Sequence, residues 1–452
     1  MVPRWSHLQQ RSSLIHHGPV ALREAAVDAI EHGIRAADPY AATMKLVSLD
    51  GHCLHVGELE YNLEEWDRIF VVGAGKATQP IAQALEEVLR ERISDGLVVL
   101  KRGEDHHLRR VRIIDAAHPV PDEASLAGAQ EIVRIARQAG SRDIVFAAIT
   151  GGSSALLTWP ANGIALADKQ TLNRVLLECG ASIREINAVR KHASRVKGGR
   201  LGEQIFPAEL INLTVSDVVG DPLDYITGPT VPDTATYQDA WDTMDKYDLW
   251  DRVPASVRQH LRRGAEIETP KVYTNRYHSF IVVACDAACQ GAAERCEELG
   301  FRTRVLTTAM EGESREAAAA FVAAATNIAS QAAAGVSCAC LVSGETTVTL
   351  DDHYGEGGPN QEFALSAAFE IAGRDNVVVA SVGTDGTDGP GRACGGLVDG
   401  ETISRARTAG LDPEGHLKSH SSRALLEAAG DLVLSGPTGT NVNDVALTLV
   451  GG

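Results

Sequence analysis

In the first half of the chain, short apolar runs alternate with amphipathic stretches: DRIFVVGAGKA (67–77), GLVVLKRG (96–103), VRIIDAAHPVPD (111–122), DIVFAAITGGSSALL (143–157) and ELINLTVSDVVGD (209–221). Apolar runs bounded by glycine and separated by amphipathic segments fit parallel strands covered on both faces. The pattern predicts two α/β domains. The N-terminal one, over 18–270, is a Rossmann-like doubly wound parallel sheet. A second series follows, HSFIVVACDAACQGAAERCEELGF, RTRVLTT, an alanine-rich helix from about 314 to 334, SCACLVSGETTVTL, NVVVASVG, DLVLSG and VALTLV. It predicts a smaller C-terminal α/β domain with a mixed sheet over 271–452. Between them, 229–279 is polar and acidic, carries a helical SVRQHLRRGAEIE, lacks strong strand signals and reads as a linker region. Ligands of doubly wound sheets sit beyond the carboxyl ends of the strands, so GAGKA, HPVPDE, TGGSS and SDVVGDP should line one edge.

A chain of 452 residues exceeds what one core serves, and 44% hydrophobic residues suffice to build two or three domains. A net charge of −18 argues against nonspecific nucleic-acid or anionic-membrane binding, which needs dense positive charge. An anionic ligand must therefore find a local basic patch. The eight cysteines form no CxxC pair and read as reduced core residues. No stretch offers the 18 apolar residues of a membrane span, and a cytoplasmic protein with about 18 frayed N-terminal residues is expected. No transition-metal site is expected either.

Candidate chemistry gathers in loops after the apolar runs. In VVGAGKAT, Gly73 and Gly75 mark a strand-to-helix turn and Lys76 the opening of the next helix. A dinucleotide fingerprint would need a third glycine at Thr78 and an acid where Lys101 and Arg102 stand; GxxxxGK[ST] is absent. What remains is a lysine over a helix start, suited to a carboxylate or phosphoryl group, with a merely tight turn as the bland alternative. TGGSSAL repeats the logic with Gly151, Gly152, Ser153 and Ser154. Arg190, Lys191, Arg195, Lys197 and Arg200 then crowd one short stretch, beside His192. Cations near a helix C-terminus also complement its dipole. Asp217 and Asp221 in SDVVGD offer a carboxylate for orienting a hydroxyl or holding magnesium, and Asp385 and Asp388 in GTDGTDG pose the same choice against ordinary turn chemistry.

The segment SGETTVTLDDHYGEGGPNQEFAL (343–365) joins a buried-looking strand to Gly355, Gly357 and Gly358 and then to a helix opening at Asn360 or Gln361, whose N–H groups would face an anion. With GTDGTDG and TGTNVNDV (438–445), it closely resembles the C-terminal domain of the class II glycerate 2-kinases, a family also called tartrate-degradation hydroxypyruvate reductases. GAGKA, HPVPDE, GGSSALL, INAVRKHASRVKGGRLG and SDVVGDPLDYITGPTVPD resemble its other motifs in order, from about Ala21 to Leu449. The resemblance implies two α/β domains with a cleft between them and phosphorylation of D-glycerate at its 2-hydroxyl by ATP with Mg2+. It implies Lys76 as catalytic or phosphate-stabilising lysine and Asp217 as acidic partner of the hydroxyl. Ser153, Ser154, Arg190 and His192 would bind substrate. Gly73, Gly75, Gly151, Gly152, Glu345, Gly357, Gly358, Asn360 and Gln361 would hold the nucleotide, and Asp385 and Asp388 the metal. The expected partners are a small hydroxy-acid and ATP, with no nucleic acid or membrane, and a homodimer is compatible with the reading. Where the family often reads GGRNQE, this chain has Pro359 in place of arginine. Arg190 or Arg392 then supplies the charge, or the chemistry has drifted. Two rivals stand beside the kinase: an NAD(P)H-dependent hydroxypyruvate reductase and a catalytically weakened hydroxy-acid or nucleotide-binding protein.

Overall fold

A computed structural model describes residues 8–103, 105–218, 220, 228–274, 276–350 and 354–452. The chain forms two units, Pro39–Val283 and the residues up to Asp38 together with Ala284–Gly452.

In the first unit a small antiparallel sheet, β1 (Val47–Asp50), β2 (Cys53–Val56) and β3 (Leu59–Asn62), precedes six parallel strands. These are β4 (Arg68–Ala74), β5 (Ile93–Lys101), β6 (Arg112–Ala116), β7 (Asp143–Ile149), β8 (Glu209–Val215) and β9 (Tyr277–Val283), in the order β6-β5-β4-β7-β8-β9. The central strands β7 and β8 are buried along their whole length, which is why their sequences are apolar runs without alternation. The chain moves outward from β4 through β5 to β6 and then returns to place β7 on the other side of β4. The crevice past β4 and β7 is thus the topological switch point, where open α/β sheets bind ligands.

In the second unit the sheet is mixed. Its strands are β10 (Arg302–Met310), β11 (Cys338–Gly344), β12 (Val377–Gly383), β13 (Ala393–Asp399), β14 (Leu432–Leu434) and β15 (Asp444–Val450), ordered β10-β11-β15-β12-β13-β14. Only β10 and β11 pair in parallel. The registers Gly344 with Asp444 and Gly383 with Asp444 bring the end of β11, the end of β12 and the start of β15 to one edge. That edge gathers the three loops noted in the sequence.

Several expectations change. The division does not fall between 270 and 271. The Val20–Ala36 helix joins the second unit because small residues let it lie close on the Ala287–Glu298 helix: a Cβ on Gly33 would come within 2.4 Å of the Ala288 carbonyl, and one on Gly291 within 2.3 Å of the Ala36 methyl. The described part of the N-terminus is packed rather than frayed, with Leu8 and Leu14 buried and the Gln9 amide donating to the Leu434 carbonyl at 2.7 Å. The 229–279 region is no linker. Its Tyr237–Lys246 and Ala255–Leu261 helices share a core with the Leu166–Glu178 and Ile183–His192 helices, and β9 closes the first sheet. The alanine-rich helix stops at Ser330.

Strand β13, ACGGLVD, carried no strand signal because two glycines occupy its middle. A Cβ on Gly395 would stand 1.9 Å from the Ser381 carbonyl oxygen of neighbouring β12, so close pairing selects glycine there. Gly395→Ala should lower stability by about 3 kcal/mol, the upper end of overpacking costs. The midpoint of urea unfolding checks this, and an unchanged midpoint would mean that the strands separate freely.

Candidate active site

Two loops meet at the switch point. After β4 the Lys76 amide donates to the Gly151 carbonyl at 2.8 Å, and the Ala77 amide to the Thr150 hydroxyl at 3.1 Å. Thr78 donates to the Ala148 carbonyl at 3.2 Å and lies 3.2 Å from the Thr150 hydroxyl. The residue in the place of a third fingerprint glycine is therefore a hydroxyl tie between the two strand ends. Gly75 has φ +140, and a Cβ there would collide with Thr150 Oγ1 at 2.1 Å. Gly73 is held to glycine by the Ala148 carbonyl, 2.4 Å from where its Cβ would stand.

Gly152 (φ +86) opens the short Ser153–Leu156 helix. A Cβ on it would lie 3.2 Å from Lys76 Cγ and 3.3 Å from His118 Nε2. The lysine stem and an imidazole thus lie over the TGG turn. His118 belongs to HPVPDE, expected at this edge, but the sequence alone did not mark it out. Ser153 is buried and its hydroxyl has no hydrogen-bond partner. Asp217 follows β8 by two residues, half-buried, at the same carboxyl edge because β4, β7 and β8 run parallel side by side. Asp221 lies outside the described residues.

The RKH sequence splits its three side chains. Lys191 is buried and pairs with Asp233 at 2.7 Å. His192 is fully buried, Nδ1 against the Ala188 carbonyl at 2.7 Å and Nε2 against Glu268 at 3.0 Å. Both ring nitrogens are occupied, so His192 holds the 268–271 segment and is not open to substrate. Arg190, half-buried, leaves its buried Nε without a partner. Ser154 takes part through its backbone, its carbonyl accepting from Lys197 Nζ at 2.8 Å. Arg195 stacks 4.1 Å from the Trp159 ring.

Burial, and then the Arg190 charge, pull Lys197 down from the ordinary 10.5 to about 7. Below about 7 the folded and unfolded chains are both protonated at Lys197, and above 10.5 both are neutral. Between these values the unfolded chain holds the extra proton, so raising pH stabilises the fold. Lys197→Met should flatten the rise of melting temperature over that window; an unaltered slope would show that Lys197 titrates normally.

In the second unit the Pro359–Glu370 helix does not present open N–H groups, which corrects the expected anion site at Asn360 and Gln361. The Asp388 carboxylate takes both amides at 2.9 Å and also accepts from the side-chain amides of Asn360 at 3.2 Å and Gln361 at 2.9 Å. A buried acid thus caps the helix start, with both oxygens engaged. Gly358 packs on it, since a Cβ there would lie 2.5 Å from Asp388 Cγ; the Gly357 carbonyl lies 2.0 Å from where a Cβ on Gly389 would stand. These glycines serve loop-on-loop packing. Pro359 sits in the first helical turn, where its missing N–H is no loss.

Asp385 accepts from its own turn, the Thr387 amide at 2.9 Å and hydroxyl at 2.8 Å. Asp444 is pushed well above the usual carboxylate range by burial and by the neighbouring charges of Asp388, Glu345 and Asp385, the Asn360 side chain acting the other way. Among the described residues the one trio with ligand atoms gathered tightly enough for a metal is His17, Asp399 and Asp431. Arg23 and Arg405 already pair with both of those carboxylates. His416 and His420 stand at HxxxH spacing. His420 is committed to Glu362 at 2.8 Å beside Arg315, so the pair forms no metal site.

An α/β sheet with a lysine and a glycine-serine turn at its switch point, and no dinucleotide fingerprint, is the setting for a small anionic ligand rather than a nicotinamide dinucleotide. Residues 25–262 match the model of a domain of unknown function (DUF4147), and 338–444 that of the MOFRL family. The glycerate 2-kinase of Pyrococcus horikoshii is 41% identical over 434 residues, covering 95% of this chain and 97% of that one. The D-glycerate 2-kinase of Thermotoga maritima is 36% identical, covering 96% and 99%. The crystal structure of the Thermotoga maritima glycerate kinase superposes with TM-score 0.82 over 95% of this chain and 99% of that one, at 36% identity. The chain belongs to the glycerate 2-kinase family. A protein of Agrobacterium vitis called a putative hydroxypyruvate reductase is 38% identical over 85% of this chain and 87% of its own.

Proposed function

We propose that this kinase transfers the terminal phosphoryl group of ATP to the 2-hydroxyl of D-glycerate, giving 2-phospho-D-glycerate and ADP. The observation that carries the reading is the switch point itself: Lys76 and the Gly151–Ser154 turn share the carboxyl edge with Asp217. Lys76 places a cation where charge spreads over transferring oxygens, and Asp217 orients the attacking hydroxyl and accepts its proton. Ser153 and the TGG turn hold oxygens by donors already in place. The reductase reading fares worse. Thr78 ties β4 to β7 where the third glycine would stand, and the end of β5 carries Lys101 and Arg102, the latter paired with Asp122 at 2.7 Å.

In the second unit we assign the nucleotide to the loops at 345 and 355–358, with Asn360 and Gln361 left to Asp388. Asp385, Asp444 and Glu345 do not gather tightly enough to cage a metal by themselves, but burial and then the charges of its acidic neighbours raise Asp444, and an arriving cation would offset those charges. Mg2+ uses one or two carboxylates, keeps its waters and takes phosphate oxygens, so no closed cage is needed. One or two of Asp385, Asp444 and Glu345 would hold it together with phosphate oxygens; Asp388 keeps its place as helix cap. Bound there, the ion would neutralise charge on the phosphate oxygens. The unpaired, mostly buried cysteines fit a reducing cytoplasm.

The product's phosphorus resonance tests the proposal, since a 2-phosphate and a 3-phosphate differ. A 2-phosphate signal is expected; oxidation of NADH by hydroxypyruvate with no phosphorylated product would transfer the case to the reductase. Pro359 allows a further expectation. If Arg190 or Arg392 supplies the transfer charge, Pro359→Arg leaves kcat nearly unchanged while the matching Arg→Ala lowers it strongly. A rise in kcat on Pro359→Arg would instead show that the charge had been lost.

A further inference from the structure

We propose that Lys169, Arg190 and Lys197 form a buried anion subsite beneath the TGGSS loop, which takes a carboxylate or phosphoryl oxygen group of the substrate with the Ser153 hydroxyl as an added donor. The kinase reading serves here only to name where that anion comes from.

Three cations converge from separate elements: Lys169 from the Leu166–Glu178 helix, Arg190 from the Ile183–His192 helix, and Lys197 from the turn after it. Lys169 is 1% exposed and Lys197 2%. Their acceptors are backbone carbonyls: Lys169 Nζ donates to the Arg190 carbonyl at 3.0 Å, and Lys197 Nζ to those of Ser154 at 2.8 Å and Leu157 at 3.0 Å. Carbonyl dipoles satisfy donors without cancelling charge. The charges acting on the two lysines are positive, Arg190 on both and Lys197 on Lys169. From the Ala255–Leu261 helix the facing group is His260, which burial keeps neutral and whose Nε2 meets the His192 carbonyl at 3.0 Å.

Among the described residues the other fully buried lysine and arginine side chains are paired with carboxylates. Lys191, one residue from Arg190, has Asp233, and Arg23 has two aspartates. Burial and mutual repulsion drive the two lysines towards their neutral forms, and the cluster regains its full charge only when an opposite charge arrives. Two donors also remain open beside it, the buried Arg190 Nε and Ser153 Oγ. Lys197 grips the carbonyl of Ser154, directly after Ser153 and two residues past the Gly152 turn under Lys76. An anion seated here would satisfy the open donors and offset the cluster at once.

Such an anion also restores the proton on Lys197, so binding should be coupled to proton uptake. Titration calorimetry of the full-length protein at pH 8, in HEPES and in Tris, reads that coupling from the buffer dependence of the heat. D-glycerate, inorganic phosphate and ATP with Mg2+ are titrated separately. Burial lowers Lys169 as well as Lys197, so uptake of about one proton or more is expected for the ligand that enters, reduced in Lys197→Met, with affinity falling about 10-fold or more in Arg190→Gln. Uptake with D-glycerate identifies a carboxylate subsite, and uptake with phosphate and ATP alone a phosphoryl subsite. Binding without uptake for every ligand that binds the wild type, where no variant need fold, would overturn the proposal. Uptake in a protein that makes no ADP would leave the subsite standing and remove the kinase reading; an active kinase without uptake would do the reverse.

Discussion

Lys76→Ala should lower kcat by at least about 100-fold while leaving the fold intact. The Lys76 side chain is half-buried at a loop, and its backbone amide, which ties the loop to Gly151, survives the substitution. What disappears is a cation over the Gly152 turn, where stabilisation of developing charge is worth most. Lys76→Arg should recover part of the rate. The comparison needs circular dichroism to show that all three proteins are folded. Equal kcat for wild type and Lys76→Ala would reduce Lys76 to a turn residue.

The second large effect concerns stability. Arg23→Ala should cost about 3–5 kcal/mol, because it leaves buried carboxylates short of a cation. Arg23 is fully buried and donates to Asp399 at 2.5 Å and Asp431 at 2.8 Å, and to the Leu14 carbonyl at 2.5 Å. Burial alone would push Asp399 up, but the hydrogen bonds of Arg405 and the charge of Arg23 hold it below the usual range. Its contribution is therefore present above the unfolded pKa and lost as pH falls through the folded one. The variant should show a smaller loss of stability on acidification than the wild type. Urea unfolding at pH 7 and at a pH below the ordinary carboxylate value of 3.8 reads both effects, and a loss under about 1 kcal/mol would mean that Arg405 carries the pair by itself.

How much of this the sequence discloses depends on the residue. Apolar runs such as IVFAAI and LINLTV show their strands directly, because strands buried on both faces leave no polar alternation to confuse the pattern. The switch-point loops follow from the same runs. Of the 237–261 helices, the second shows in the helical pattern of SVRQHLRRGAEIE, while the first is hidden by acidic surface residues. Buried Ala240, Thr243 and Met244 do stand at helical spacing behind a Thr236/Asp239 capping box, a signal that could have found the first of them. The cap formed by Asp388 on Asn360 and Gln361 joins loops far apart in the chain, and no local pattern encodes it. Lys169 was invisible for a similar reason: in DKQTLNRVLLE it reads as an ordinary surface lysine, and only packing puts it beside Arg190 and Lys197.

The central claim is tested most directly by ADP release from purified protein supplied with ATP, Mg2+ and D-glycerate, measured against the same mixture lacking the hydroxy-acid. The account predicts steady, D-glycerate-dependent ADP formation that falls to near background in Lys76→Ala. ADP release that is absent, or that ignores D-glycerate, would contradict it.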